Sequence, residues 1–333
     1  GLPKARLELT RLKGKLNGRP LQGQALLHTA AGRHRMEKFS MRAGDNRLDA
    51  SGTLTPEQLD LSWDLNLKDP AALAKGAGGR LTAKGEIGGS LQEPTLQARL
   101  NGSKLAWEDL RLKRVDADLK LQLSEKAPVQ LKLNAEGLKS GEEALLERLS
   151  ATAKGRLNDH RLDISLKGPS GGVKTQLKGG IDLERQQWSG AFTRLAADSP
   201  KLGGWRLVKP AALLLGAEES ALQPACLKGK GKLCLEFKRD QTGKSAFNAN
   251  LESVPLTLLL ADAGGTLSAK LDGTLGPSGA LAGSAEGRIT PGQLRVRAGD
   301  KISTFKHQGG SLNAVVDRNG LTAELLLQPL RRG

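Results

Sequence analysis

The chain has 333 residues, enough for two or three ordinary domains, but only 38% are apolar and 3% aromatic, with no Tyr. Globular domains run at about 45–50% apolar with Gly counted, so material for a thick core is missing, while a stack of repeats that touch only their neighbours needs less. Net charge is +16; Lys and Arg are spread over the polar phase of the chain without stacking aromatics, which argues against nucleic acid and leaves a solvated basic face or an anionic partner such as lipid head groups.

Alternation with period two gives a strand one dry face and one wet face, and it recurs along most of the chain. Leu7, Leu9 and Leu12 open it, Asn17-Gly18-Arg19-Pro20 makes a turn, and Leu48, Ala50, Gly52 and Leu54 follow in phase. The cleanest strand is Leu59, Leu61, Trp63, Leu65 and Leu67, closed by Asp69-Pro70. Pro70–Lys75, behind a candidate N-cap Asp69, predicts a single helical turn. Between Arg80 and Leu123 come Leu81, Ala83, Gly85 and Ile87, a turn from Gly88 to Pro94, then Leu96, Ala98 and Leu100. A second turn is expected at Asn101-Gly102, followed by Leu105 and Trp107, then Val115, Ala117, Leu119, Leu121 and Leu123. Val129, Leu131 and Leu133 repeat the pattern. Glu142–Leu149 is the best helix candidate and is also readable as strand. Trp188, Gly190 and Phe192 share a phase, Pro200–Pro210 is less regular, and Leu233, Leu235 and Phe237 resume it. From Gly264 the alternation returns between turns at Gly276-Pro277, Pro291-Gly292 and Asn319-Gly320.

No linker interrupts residues 1–333, which read as one continuous, repeat-built, all-β architecture of hairpin-connected antiparallel strands with at most one or two short helices. Some 25–30 strands at about 4.8 Å each would make a long sheet, which must curl because strands twist, with its dry face inside. The chain begins with Gly, and its longest apolar runs, Ala211–Leu215 and Leu256–Leu260, are far too short to cross a bilayer. It therefore reads as an internal piece whose membrane anchor lies outside it.

Catalytic patterns are weak. Gly168-Pro169-Ser170-Gly171-Gly172 matches G-x-S-x-G, but the elbow needs a helix after it, and Val173–Leu177 reads as strand. Thr242-Gly243-Lys244-Ser245 ends like a P-loop, yet Lys238 stands where its first glycine belongs. His28, His34, His160 and His307 lack metal-ligand spacing and read as exposed polar-face residues. The sequence thus predicts no enzyme, no cofactor and no metal site. Cys226 and Cys234 flank Gly-Lys-Gly and can face each other across a short hairpin, as a disulfide of an oxidising compartment or as two small apolar thiols.

The dry face must be buried against something. It is either the filled core of a solenoid or an open trough for an apolar guest. A trough has a physical use, since a 16-carbon chain in water costs about 12 kcal/mol at about 0.8 kcal/mol per CH₂. The candidate lining is Leu59, Leu61, Trp63, Leu65, Leu67, Leu81, Ala83, Ile87, Leu96, Leu100, Leu105, Trp107, Val115, Leu119, Leu121, Leu123, Leu131 and Leu133.

The run from Ser90 to Leu121 resembles the repeating unit of the TamB (translocation and assembly module) family, within the wider AsmA-like group of Gram-negative bacteria. Glu93-Pro94, Trp107, Asp109-Leu110 and Arg111-Leu112 fill the places of its Pro-bearing turn, its aromatic and acidic pair and its L-x-L phrase. Asn46–Leu54, Gly203–Leu215 and Leu233–Lys238 are similar to other stretches of the family. The resemblance implies a sheet curled into a U-shaped "β-taco" groove, in a periplasmic protein anchored in the inner membrane, with an outer-membrane barrel partner of the TamA type. The implied activity is carriage of phospholipid, held by its acyl chains, between the two membranes. The alternative is a scaffold for assembly of outer-membrane proteins such as autotransporters, and a filled-core β-helical adhesin is a third reading.

Overall fold

Leu and Ala alternating with polar residues, with Gly, Pro and Asn at the breaks, favour strands joined by short turns, each strand paired to the next. The computed structural model describes residues 5–30, 32–258, 260–298, 301–318 and 320–330, which hold 23 strands, two short 3-10 turns and no α-helix. The expected all-β antiparallel array is what the chain forms. The strands are fewer than anticipated because they are long, 13 residues in β6 (Ala77–Gly89) and 14 in β7 (Pro94–Trp107).

The chain falls into two units, Gly1–Gly172 and Val173–Gly333. In the first, β1 (Ala5–Leu16), β2 (Arg19–Ala30), β3 (Arg33–Ala43), β4 (Asn46–Leu54), β5 (Leu59–Leu67), β6, β7, β8 (Leu110–Gln122), β9 (Pro128–Ser140), β10 (Glu143–Arg156) and β11 (Asp159–Gly168) form a meander. Each strand pairs antiparallel with its neighbour in sequence. The first turn shows why: Asn17 and Gly18 take φ of 48° and 78°, the positive pair that a two-residue hairpin needs.

The second unit continues with β12 (Gly171–Asp182), β13 (Gln187–Ser199), β14 (Gly203–Leu207), β15 (Ala211–Gly216), β16 (Ser220–Lys228), β17 (Lys232–Arg239), β18 (Ser245–Pro255), β19 (Thr266–Leu275), β20 (Leu281–Ile289), β21 (Gly292–Ala298), β22 (Lys301–Asp317) and β23 (Gly320–Pro329). Here two long strands are split. β14 and β15 both pair with β13 and with β16, and the gap between them holds Val208-Lys209-Pro210. β20 and β21 both pair with β22, and Thr290-Pro291 separates them. Proline has no N–H to give to a ladder, so a strand interior that contains one must break or bulge, and β16 takes the second course at Pro224, between Leu222 and Ala225.

Three local expectations are corrected. Asn101-Gly102 is no turn: both lie inside β7, and Gly102 is buried because Leu105 and Val115 fill the space a side chain would take, each 2.8 Å from a Cβ placed there. In Glu142–Leu149 all but Glu142 is strand, the start of β10, since β9 and β11 pair with it, and the ladder shifts register between Ala144 and Leu146. Pro70–Ala72 does form one 3-10 turn, but the Asp69 side chain does not cap it. Instead Asn46, 3% exposed, grips the Asp69 backbone, donating through Nδ2 to its carbonyl at 2.6 Å and accepting from its N–H at 3.0 Å.

The described residues build no thick core. The chain exposes 21745 Å², whereas a compact protein of its mass would expose about 13,000 Å². The buried apolar residues are mostly Ala, and the largest fully buried side chain among the described residues is Leu157.

Candidate functional site

The dry residues are aligned from strand to strand. In the first unit one column runs Leu12, Gly23, Met41, Leu48, Leu65, Ala83, Leu100, Ala117, Leu133, Ala151, Ile164, one residue from each of β1 to β11. A second runs Leu9, Ala25, Phe39, Ala50, Trp63, Gly85, Ala98, Leu119, Leu131, Ala153, Leu162. Leu61, Ile87, Leu96 and Leu121 lie in a third, and Leu67, Leu81 and Val115 in a fourth. The face is therefore continuous, with large and small residues tending to alternate along each column so that neighbours interlock.

One extra residue in a strand turns every later side chain to the opposite face. The apolar phase slips where the ladder slips. In β1 it passes from Leu7 and Leu9 to Leu12 across a bulge between Leu9 and Leu12. In β18 it passes from Ala249 and Leu251 to Val254 across a bulge there, and in β16 from Leu222 to Ala225. In β6–β10 the slips line up as a crease, marked by Gly79 (φ 92°), Lys104 (φ 51°), Gly137 (φ 67°) and a register shift at Ala144/Leu146. Beyond the crease Leu105, Leu112 and Leu138 continue the dry face, and with Leu67, Leu81 and Trp107 they line an apolar recess of about 270 Å³. Trp107 stands at its margin, 53% exposed.

All eighteen candidate lining residues thus map to one face of β5–β9 or its margins. Leu59 and Leu123 lie at the end away from the crease, while Leu105 and Trp107 lie beyond it. The same face also takes in Leu7, Leu9 and Leu12 of β1 and Met41 of β3, which the candidate lining did not include although the three leucines alternate in phase; the second unit has a corresponding set. There Leu227, Leu233, Leu251, Ala269, Gly287, Leu312 and Leu325 form a column across β16–β20, β22 and β23. The candidate lining also left out the glycines that receive aromatic rings. Trp63 lies over Gly85, directly opposite in the ladder, with ring carbon Cζ2 2.7 Å from where a Cβ would be. Trp188 covers Gly179 and Gly190, Trp205 covers Gly229, and Phe247 covers Gly273. The signal available in sequence was a glycine in the dry phase.

The wet face is held by charge pairs. Arg99 and Asp118 face each other across β7 and β8 at 2.6 Å, and Arg114–Asp116 and Arg161–Asp163 pair along their own strands. Hydrogen bonds from Arg47 and Arg114 lower the Asp49 and Asp116 carboxyls below the ordinary carboxylate range. Such exposed pairs contribute little each. A depression of about 660 Å³ on this face is lined by Asp49, Asp64, Lys84, Glu86, Arg99 and Asp118 among others; it is roomy but charged, unlike the recess on the dry face.

Cys226 and Cys234 are directly opposed in β16 and β17 and are bonded, S–S 2.06 Å, on the wet face between dry Leu233 and Leu235. Pro169-Ser170 is a turn followed at once by β12, with no helix. The P-loop-like Thr242–Ser245 is a turn whose amides are already occupied: Asp240 Oδ1 accepts from the N–H groups of Thr242 and Lys244 and from the Thr242 hydroxyl. Two histidines depart from expectation. His160 and His307 are buried, 6% and 3% exposed, because each serves local backbone. His160 Nδ1 donates to the Leu157 carbonyl at 3.0 Å, and His307 Nδ1 accepts from Gly309 N–H at 3.2 Å. Among the described residues no three His, Cys, Asp or Glu side chains cluster as metal ligands, and no helix is long and apolar enough to cross a membrane.

Fold and face together define an all-β repeat protein with a registered apolar surface in each unit. The chain belongs to the TamB family: the TamB N-terminal domain matches residues 4–333.

Proposed function

We propose that this chain is a lipid conduit segment, in which the registered dry face, curled into a trough, carries phospholipid acyl chains between the inner and outer membranes across the periplasm. The observation that carries the reading is the unbroken apolar column from Leu12 to Ile164, one residue per strand. A surface with the same polarity at every step holds a chain without fixing it, and removes much of the roughly 12 kcal/mol that water would impose on 16 carbons. No catalytic step is involved. Anchoring in the inner membrane and docking on a TamA-type barrel belong to the same proposal, and membership of the TamB family supports them.

The test is photo-crosslinking in the full-length protein. Crosslinkers at Leu100 and Leu121 should capture phospholipid, and one at Lys84 on the wet face should not. Leu61→Asp should lower capture about tenfold, since a carboxylate in the trough must be desolvated. Normal lipid traffic with no capture at dry positions would sink the proposal. The assembly-scaffold reading is favoured by a different observation: among the described residues β1 pairs with β2 alone and β23 with β22 alone, which leaves a backbone edge open on each. It predicts that unfolded β-strand clients crosslink at those edges and that lipid does not crosslink in the trough.

A further inference from the structure

Three of the four Trp rings, and Phe247, occupy the space above a glycine. An aromatic on a dry face would otherwise project from the sheet and obstruct it. The glycine lets the ring lie down. At Phe247 the arrangement is clean: Gly273 faces it directly in the ladder, and all three atoms nearest to a Cβ built on Gly273 belong to the Phe247 ring. At Gly85 the opposite backbone also crowds the position, since Gln97 O lies against a Cβ built there. Trp107 is the contrast, opposite Ala77 and Leu110, standing exposed at the margin of the recess.

We propose that these glycines are clearance residues. Each lays an aromatic ring flat and keeps the trough floor level within its own unit, so that a flexible unbranched acyl chain crosses from strand to strand there without meeting a standing ring or dropping into a niche. The inference rests on the lipid-conduit reading and adds that clearance at the rings selects what passes.

The test uses the purified 333-residue chain with a photo-crosslinker at Leu271, mixed with phosphatidylethanolamine vesicles carrying tritiated acyl chains. Gly273→Leu, which pushes Phe247 upright, should lower labelling at least about fivefold, and adding Phe247→Ala should restore it. Phe247→Leu, which makes no clash, should label like the unaltered chain. Three results would overturn the inference: full labelling in Gly273→Leu, no rescue in the double variant, or a fivefold loss in Phe247→Leu, which would make the ring a grip and not a floor. If the unaltered chain takes no label at Leu271, the conduit reading fails and this inference with it; if it labels and only the variants misbehave, the conduit reading stands.

Discussion

Strands β6–β10 and strands β13–β17 solve the same problem by different means. In the first set every strand runs unbroken, with Pro94 and Pro128 confined to strand starts where no ladder N–H is needed. Register there is held by interlocking columns and by bulges that keep the apolar phase on one face. In the second set Pro210 lies in a break, β14 and β15 share their partners, and β16 carries a bulge of its own. The disulfide sits in that region: Cys226, whose carbonyl accepts from Val208 N–H at 2.8 Å, is bonded to Cys234 on the next strand. A broken ladder has fewer hydrogen bonds to define its register, and a covalent link between opposed residues supplies what the missing bonds do not.

The comparison breaks most sharply if a proline is placed where no clamp exists. Ala98→Pro, in the interior of β7 between Gly85 and Leu119, should cost about 3 kcal/mol through a lost ladder bond, an orphaned carbonyl and a ring without room. Denaturant unfolding followed at Trp63 reads this, and a loss below about 1 kcal/mol would show that unbroken strands contribute little to stability. Next in size is the clamp. Cys226→Ser with Cys234→Ser should cost about 2–3 kcal/mol for so short a loop, with faster amide exchange in β14–β17 and no change in β6–β10. Equal acceleration in both regions would remove the distinction between them.

The smallest effect concerns the β17–β18 turn. The Asp240 carboxyl is lowered below its ordinary value chiefly by the hydrogen bond from Thr242. A group with a depressed folded pKa stabilises above its unfolded value and loses that contribution as pH falls through the folded one. The Thr242 and Lys244 amides should therefore exchange normally at neutral pH and faster, relative to neighbouring turns, once pH drops below about 4. Asp240→Asn should flatten that dependence.

Much of this was legible in the sequence. Period-two alternation gave the strands, and the face of Leu59–Leu67 was evident from five residues alone. The phase slips were harder to see. Leu100 and Gly102 give way to Leu105 and Trp107 in β7 with a change of parity, which looks like one strand ending and another starting, so a turn was expected at Asn101-Gly102. A bulge and a turn leave the same mark in a local pattern, and only pairing with β6 and β8 separates them. Glu142–Leu149 misled as well, since only its pairing with β9 and β11 makes it strand. The buried roles of His160 and His307 depend on backbone carbonyls and amides brought close by turns, which composition does not encode.

Because, among the described residues, each strand from β1 to β11 is bonded to its sequence neighbours alone, the array responds to force according to direction. Tension applied from β1 toward β11 opens one ladder at a time, as a zipper does, whereas tension along the strands must shear a whole ladder at once. A protein strung between two attachment points would feel the first kind of load. In the second unit the Cys226–Cys234 bond would then act as a rivet at which unzipping stops.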